Sequence, residues 1–323
     1  MNKKVQIILS IVLACTLLTA CTDKTNLKKE AQVSVTKQAE MRNYSFTGTA
    51  DIDLGTLPQT KDSNPITTNL LTLIEKSKLE WTGVASVDPV QLEVNLKSSS
   101  GALGIPLELP MLIKDNKLYI SIPMLNKKDE YFAIDLTTLG TMAGSKTPLT
   151  PDSLKNVIQT TSTLSNLILT DIQDKWFQKS KDPITLKDGT VAKILNVEIT
   201  DKNIQEISLI FQSKLPEMID ILAKSGIIST EQAEKLKQAD LKSIQMRTPG
   251  ILSLTIDPTG FIREQKINLT YTMKNKEGNL ENRHLNVSQA YDHINQSPKF
   301  EKQTPTQIRP FEHILKFMNG IKK

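Results

Sequence analysis

Residues 79–96 of the chain are LEWTGVASVDPVQLEVNL, and apolar and polar side chains alternate along both halves of this stretch. A period of two residues places alternate side chains on opposite faces of a β-strand. The Asp88-Pro89 pair between the two halves is typical of a turn. The stretch therefore predicts a β-hairpin with one apolar face, whose positions are Leu79, Trp81, Gly83, Ala85, Val87, Val90, Leu92, Val94 and Leu96.

The same alternation recurs along most of the chain. Further predicted strands cover residues 44–54, 107–113, 118–122, 131–136, 191–199, 252–256, 267–273 and 285–287. Consecutive hairpins at this spacing predict an antiparallel sheet with one solvated and one buried face. The strands on either side of Gly144-Ser145 share one pattern, so we favour one continuous sheet over two domains divided at that point.

Amphipathic helices are predicted near residues 27–41, 152–172 and 216–240. Pro151 suits the first turn of the second helix, and Pro216 is interpreted as the start of the third helical region. A sheet with one apolar face must bury that face against another layer, and these helices are the available cover. An imperfect fit would leave an apolar cavity, the kind of site in which small apolar ligands bind.

The N-terminus predicts export and lipid attachment. Two lysines precede an apolar run that ends at Ala20, which is typical of a signal peptide over residues 1–20. The run is shorter than the roughly 20 apolar residues that span a bilayer. Leu18-Thr19-Ala20-Cys21 resembles the lipobox of bacterial lipoproteins, in which the cysteine receives diacylglycerol and becomes the first residue. Leu13-Ala14-Cys15 is a weaker candidate, and a plain secretory signal followed by an incidental cysteine is the remaining alternative.

Several expectations follow from lipidation at Cys21. A diacylglyceryl-cysteine would hold the protein on the extracytoplasmic face of the cell membrane, with residues 21–26 as a polar tether. Cys15 would leave with the signal peptide, so no disulfide or thiolate metal site is expected. The lysine-rich composition favours a Gram-positive type of envelope, and the sequence leaves the number of membranes open.

The pattern resembles the LolA/LppX (LprG-like) lipoprotein family. The resemblance rests on a short helix leading into Asn43-Tyr44-Ser45-Phe46, on the hairpin of residues 109–123 followed by residues 130–136, and on residues 254–262, LTIDPTGFI. It implies an α+β fold, in which a large curved antiparallel sheet forms an unclosed half-barrel and amphipathic helices cover its concave face. The half-barrel would span residues 27–300, with helical insertions near 150–178 and 213–240, and residues 301–323 would form a tail with a short helix.

In that family the space between sheet and helices accepts lipid acyl chains, so a lipid or another apolar molecule is the expected ligand. The candidate cavity residues lie on the predicted helices and at the end of the second one: Ile158, Leu164, Leu167, Ile168, Trp176, Phe177, Met218, Ile221 and Leu222. Ordinary core packing is the first interpretation of the six residues from Ile158 to Phe177, and it explains Met218, Ile221 and Leu222 as well as a ligand pocket does. The alternative function is therefore a non-catalytic envelope interaction protein with a fully packed core and an unknown protein partner.

Other chemistry is not indicated by the sequence. The three histidines, His284, His293 and His313, lie in no metal-binding motif, and no phosphate loop or nucleophile motif occurs. We therefore expect no enzyme activity, no metal and no cofactor. The net charge of +5 is too small and dispersed to indicate nucleic-acid binding, and aromatic residues make up only 5% of the chain.

Overall fold

The computed structural model describes residues 24–53, 76–100, 106–123, 125–142, 149–226, 228, 230–238, 244–275 and 277–314. The predicted signal peptide, Cys21, the Gly144-Ser145 boundary and residues 315–323 of the predicted tail lie outside these residues. The α-helices are α1 (Lys24–Lys37), α2 (Leu136–Met142), α3 (Pro151–Asp171), α4 (Ile204–Lys224) and α5 (Thr230–Gln238). The strands are β1 (Asn43–Asp53), β2 (Lys76–Val87), β3 (Val90–Ser100), β4 (Leu107–Lys114), β5 (Lys117–Ile120), β6 (Glu130–Asp135), β7 (Phe177–Lys179), β8 (Ile184–Thr185), β9 (Val191–Ile199), β10 (Gln245–Ile256), β11 (Ile262–Lys274), β12 (Leu280–Asp292) and β13 (Gln307–Pro310).

The strands form one unclosed sheet in the order β13-β6-β5-β4-β3-β2-β1-β12-β11-β10-β9-β7, and β8 pairs with β9. All pairs are antiparallel except β13 with β6. The predicted α+β class and the large antiparallel sheet are confirmed. Strands from before and after residue 145 meet in the middle of this sheet, where β1 lies between β2 and β12.

Helices α1, α3 and α4 pack on one another and against strands near the β7 end of the sheet. Their apolar faces explain this arrangement: Ala31 of α1, Ile172 just after α3 and Ile207 of α4 are each at most 1% exposed. They join one core cluster with inward side chains of β9, β10 and β11, including Ile199, Ile256 and Ile262. The helices thus cover the apolar face of the sheet, as predicted.

Aromatic side chains lie over glycines on this covered face. Gly48 pairs directly with Trp81, and Phe46 pairs directly with Gly83. A side chain at Gly48 would overlap the Trp81 indole, and one at Gly83 would overlap both the Phe46 ring and the carbonyl oxygen of Glu93. Each glycine therefore provides the space in which the ring opposite it lies close to the sheet.

The sequence prediction was wrong at several element boundaries. Helix α4 begins at Ile204 and contains Pro216 in its interior, so Pro216 does not start the helical region. The buried stripe of the first half of α4, at Ile207 and Ile210, joins the core and holds the helix together despite the proline. Residues 136–142, for which no helix was predicted, form α2, and α1 already begins at Lys24, inside the predicted tether.

The segment after β12 crosses to the far edge of the sheet, and we call residues 293–306 the C-terminal strap. Both oxygens of the Glu93 carboxylate accept hydrogen bonds from strap backbone N–H groups, at 3.0 Å from Glu301 and 2.7 Å from Lys302. Glu93 is on the face opposite the helices and is 4% exposed. Beside it, Leu112 and Tyr119 are also buried. The second face of the sheet, predicted to be solvated, is therefore buried in this part.

Among the described residues, no helix combines the length and the apolar character needed to cross a membrane.

Candidate functional site

A cavity of about 280 Å³ lies between α3 and the covered face of the sheet. Its walls come from α3, the end of α1 with the turn after it, and five neighbouring strands, β3, β2, β1, β12 and β11. The lining residues are Val35, Gln38, Met41, Tyr44, Phe46, Ala85, Ser86, Val87, Val90, Gln91, Leu92, Val157, Ile158, Thr161, Ser162, Ser165, Ile262, Gln265, Gln289 and Tyr291.

The strand wall of the cavity is wider than a single helix. Four inter-strand spacings separate β3 from β11, about 19 Å at the usual spacing. A single helix is about 10–12 Å in diameter with its side chains. The end of α1 and the turn after it, with Val35, Gln38 and Met41, therefore complete the helical side of the cavity beside α3.

The cavity opens to solvent beside α3. Val157, 44% exposed, and Thr161, also exposed, lie one turn apart on the side of α3 that lines the cavity. The turn between β2 and β3 supplies Val87 and Val90, which are half-buried. This arrangement gives the cavity an apolar entrance that a small molecule could use without unfolding of the sheet.

Two tyrosines form part of the cavity wall. The rings of Tyr44 on β1 and Tyr291 on β12 contact edge to face, with centroids 5.7 Å apart and an interplanar angle of 75°. The Phe46 ring lies 5.9 Å from that of Tyr44. Burial raises the pKa of Tyr44 to about 12 and also raises the pKa of Tyr291, on which Tyr44 has a second, smaller raising effect. Both hydroxyls are therefore neutral at physiological pH.

Four glutamines add polar groups to the wall: Gln38, Gln91, Gln265 and Gln289. The Oε1 atom of Gln289 accepts a hydrogen bond of 2.7 Å from Nε1 of Trp81, which fixes the indole over Gly48. Gln38 donates from Nε2 to the carbonyl oxygen of Ile262 at 3.4 Å, whereas its buried Oε1 accepts no hydrogen bond. No Asp, Glu, Lys, Arg or His occurs among the described residues that line the cavity. The site is therefore apolar with a few neutral polar groups, which is typical of small-molecule sites.

A cluster of charged side chains stabilises the end of β12, the strand that carries Tyr291. Arg263, 7% exposed, donates from Nη2 to Asp188 at 2.8 Å and to Asp292 at 2.7 Å, and from Nε to the carbonyl oxygen of Tyr291 at 2.9 Å. Nη1 of Arg263 lies 3.7 Å from the carboxylate of Asp257. The guanidinium thus joins three carboxylates to the backbone of β12 and stabilises the position of Tyr291.

Of the nine candidate cavity residues from the sequence, the structure places Ile158 in the cavity wall. Phe177 is 2% exposed in the core cluster, and Ile168 and Trp176 pack against that cluster. The other five, Leu164, Leu167, Met218, Ile221 and Leu222, are half-buried on α3 and α4 outside the cavity wall. The sequence predicted no strand residue in the cavity wall. Tyr44 lies in a predicted strand, on its apolar face, whereas Tyr291 lies beyond the predicted strand of residues 285–287.

The histidines are not among the residues that line the cavity, and neither is Asp51, the carboxylate beside His284. Nε2 of His284 lies 3.1 Å from the Asp51 carboxylate, and Nδ1 of His293 lies 2.9 Å from Oγ of Ser45. Lys78 also pairs with Asp51, at 3.4 Å. In the part of the chain that the structure describes, no group of three His, Cys, Asp or Glu residues is placed to hold a metal ion.

Among solved structures, the chain is similar to LprF from Mycobacterium bovis, with 10% identity, a TM-score of 0.41, and coverage of 86% of this chain and 97% of that one. It is also similar to a porin-like protein from Bacteroides uniformis, with 8% identity, a TM-score of 0.19, and coverage of 79% of this chain and 97% of the other. No protein-family model matches the chain, and no curated protein matches it.

Proposed function

We propose that this chain is a lipid-anchored, extracytoplasmic envelope protein that binds a small hydrophobic ligand in the cavity between α3 and the sheet. The observation that carries the proposal is the 280 Å³ cavity with its uncharged wall and its opening at Val157. A cavity of about 150 Å³ lined by apolar side chains binds benzene. By proportion, the cavity here accommodates roughly ten carbon atoms, such as one hydrocarbon chain or a small ring system.

The cavity supports ligand binding over the alternative of a non-catalytic interaction protein with a fully packed core. Burial of a methylene group contributes about 0.8 kcal/mol. A chain of eight carbons therefore gains about 6 kcal/mol of gross binding free energy. Because the cost of immobilisation is subtracted from this gain, we expect a dissociation constant in roughly the millimolar range.

A substitution that fills the cavity tests this proposal. Thr161 and Thr163 are both exposed on α3, and each donates its hydroxyl to the carbonyl oxygen four residues earlier. Only Thr161 lines the cavity. We expect Thr161→Phe to weaken the binding of 1-octanol at least about tenfold by calorimetry, because the ring occupies ligand volume. Thr163→Phe is the matched control, and equal affinities of the two variants would refute cavity binding.

The membrane anchor is a separate part of the proposal and has its own test. It rests on the signal-like residues 1–20 and the lipobox-like sequence that ends at Cys21. Labelled palmitate should appear on the wild-type protein expressed in a bacterium with a lipoprotein pathway, and the protein should sediment with membranes. Cys21→Ala should remove both the label and the membrane association. Unchanged labelling of the Cys21→Ala protein would exclude this cysteine as the attachment site.

A further inference from the structure

We propose that the cavity selects an uncharged ligand whose apolar body ends in a neutral polar group, hydrogen-bonded by the Tyr44 and Tyr291 hydroxyls. The inference rests on the proposed binding function and adds the chemical class of the ligand. A fatty alcohol, a monoacylglycerol or a primary amide has this chemistry, whereas a free fatty acid at neutral pH does not.

The hydroxyls of Tyr44 and Tyr291 are available to a ligand in the cavity. Tyr44 and Tyr291 both line the cavity and contact each other through their rings. Within the described ranges, neither hydroxyl has a hydrogen-bond partner in the protein, although the neighbouring Trp81 and Gln289 side chains satisfy each other. A phenol in an apolar surrounding usually finds a partner for its O–H group. The bound ligand can supply it.

The described residues of the cavity wall carry no charge that could compensate the charge of an ionised ligand. The described lining residues contain no ionisable group except the two tyrosines, whose raised pKa values keep them neutral. Arg263, which follows the lining residue Ile262 on β11, is engaged by three aspartates. A carboxylate or ammonium brought into this cavity would therefore lose hydration without meeting an opposite charge, which is costly.

The amide oxygen of Gln38 also lacks a hydrogen-bond donor. This side chain is 9% exposed and belongs to the same wall as the tyrosines, and its Oε1 accepts no hydrogen bond. Phenol hydroxyls donate as well as accept, and an amide oxygen only accepts. Together, these groups match a ligand end that can both donate and accept, such as a hydroxyl or an amide.

The experiment compares 1-octanol with octanoate at pH 8 on the full mature chain with Cys21 replaced by Ser. We expect octanoate to bind at least about 100-fold more weakly than octanol, because its ionised end is desolvated without a partner. Tyr44→Phe and Tyr291→Phe remove one hydroxyl each and keep the ring, so each should weaken octanol binding about threefold to tenfold. Tyr131→Phe, on β6 and outside the cavity wall, is the control and should leave octanol binding unchanged.

The outcomes separate the two proposals. If neither octanol nor octanoate binds, the proposed binding function fails together with this inference. If octanol and octanoate bind equally, or if octanol binds but both tyrosine variants keep full affinity, the cavity is a binding site and only the selection by neutral polar groups is overturned. Calorimetry measures all of these affinities, and circular dichroism verifies that each variant is folded.

Discussion

Two glycines on the covered face of the sheet, Gly48 and Gly83, allow Trp81 and Phe46 to lie flat against it. A substitution of glycine by alanine in a strand usually stabilises a protein by about 0.4–1 kcal/mol, because the unfolded chain loses conformational freedom. At Gly83 the added methyl group would overlap the backbone carbonyl of Glu93. A carbonyl of a paired strand cannot rotate away as a side chain can, so the steric cost is larger than the gain.

We therefore expect Gly83→Ala to lower the free energy of unfolding by about 1–3 kcal/mol, the usual cost of overpacking. Urea titration followed by circular dichroism measures this change. Thr82→Ala alters the exposed neighbouring position and should change the free energy by less than about 0.5 kcal/mol. An unfolding midpoint of Gly83→Ala at or above that of the wild type would contradict the steric argument.

The carboxyl group of Asp188 makes the stability of the protein depend on pH in acid. The backbone N–H of Thr190 and, next, the Arg263 guanidinium hold the pKa of this carboxyl well below its ordinary value of 3.8. A group whose pKa is lower in the folded state contributes stability above its unfolded pKa and loses that contribution as the pH falls through its folded pKa.

Asp188→Asn should therefore be less stable than the wild type at pH 7 and pH 5, and this difference should shrink progressively below about pH 4. Urea titrations at pH 7, 5, 3 and 2 follow the difference directly. Asp182→Asn, an exposed change just before β8, controls for the loss of one negative charge. A difference between wild type and Asp188→Asn that stays constant down to pH 2 would show that the carboxylate contacts are unimportant.

At the level of secondary-structure elements, the buried carboxylate of Glu93 binds the second half of the C-terminal strap to the sheet. The two backbone N–H groups bonded to Glu93 are matched by two carboxylate oxygens, and a glutamine offers only one acceptor. Hydrogen bonds to a charged group contribute about 1.5–3 kcal/mol each. We expect Glu93→Gln to destabilise the fold by about that amount and to speed amide exchange at Glu301 and Lys302.

Hydrogen exchange measured by mass spectrometry resolves the strap from the rest of the sheet. In the Glu93→Gln variant, peptides covering residues 296–310 should exchange faster, whereas peptides from β11 should keep their protection. Glu80→Gln, an exposed change on β2, is the matched control and should leave the strap protected. Uniform acceleration in all peptides would indicate a general loss of stability in place of local release of the strap.

Most strands could be predicted from the sequence because alternation is a local property of each strand. The path of the strap and the insertion of β12 between β1 and β11 could not, since both depend on residues more than 200 positions apart. The same limit applies to the cavity. Tyr44 and Tyr291 come from opposite ends of the sequence, and the stripe of α3 predicted its helix but not which of its residues would face the opening.

Considered as a whole, the molecule has its first long strand in the middle of the sheet. β1 pairs with β2 on one side and with β12, the last long strand, on the other. A fragment that ends near residue 145 would leave β1 with one partner and without the helices α3 and α4 that cover the apolar face. This arrangement favours one cooperative unit, which is the organisation expected of a single continuous sheet.

The two tryptophans, Trp81 and Trp176, provide a probe on each side of residue 145. Trp81 lies on β2, and Trp176 packs against the core cluster between α3 and β7. In Trp176→Phe the fluorescence reports only on Trp81, and in Trp81→Phe only on Trp176. We expect the fluorescence and circular dichroism transitions in urea to coincide within each variant, because one sheet joins both probes.

The comparison is made within a variant, since Trp81→Phe also removes the hydrogen bond to Gln289 and lowers stability by itself. A fluorescence transition at a lower urea concentration than the circular dichroism transition, in either variant, would show that the two halves unfold independently despite their shared sheet.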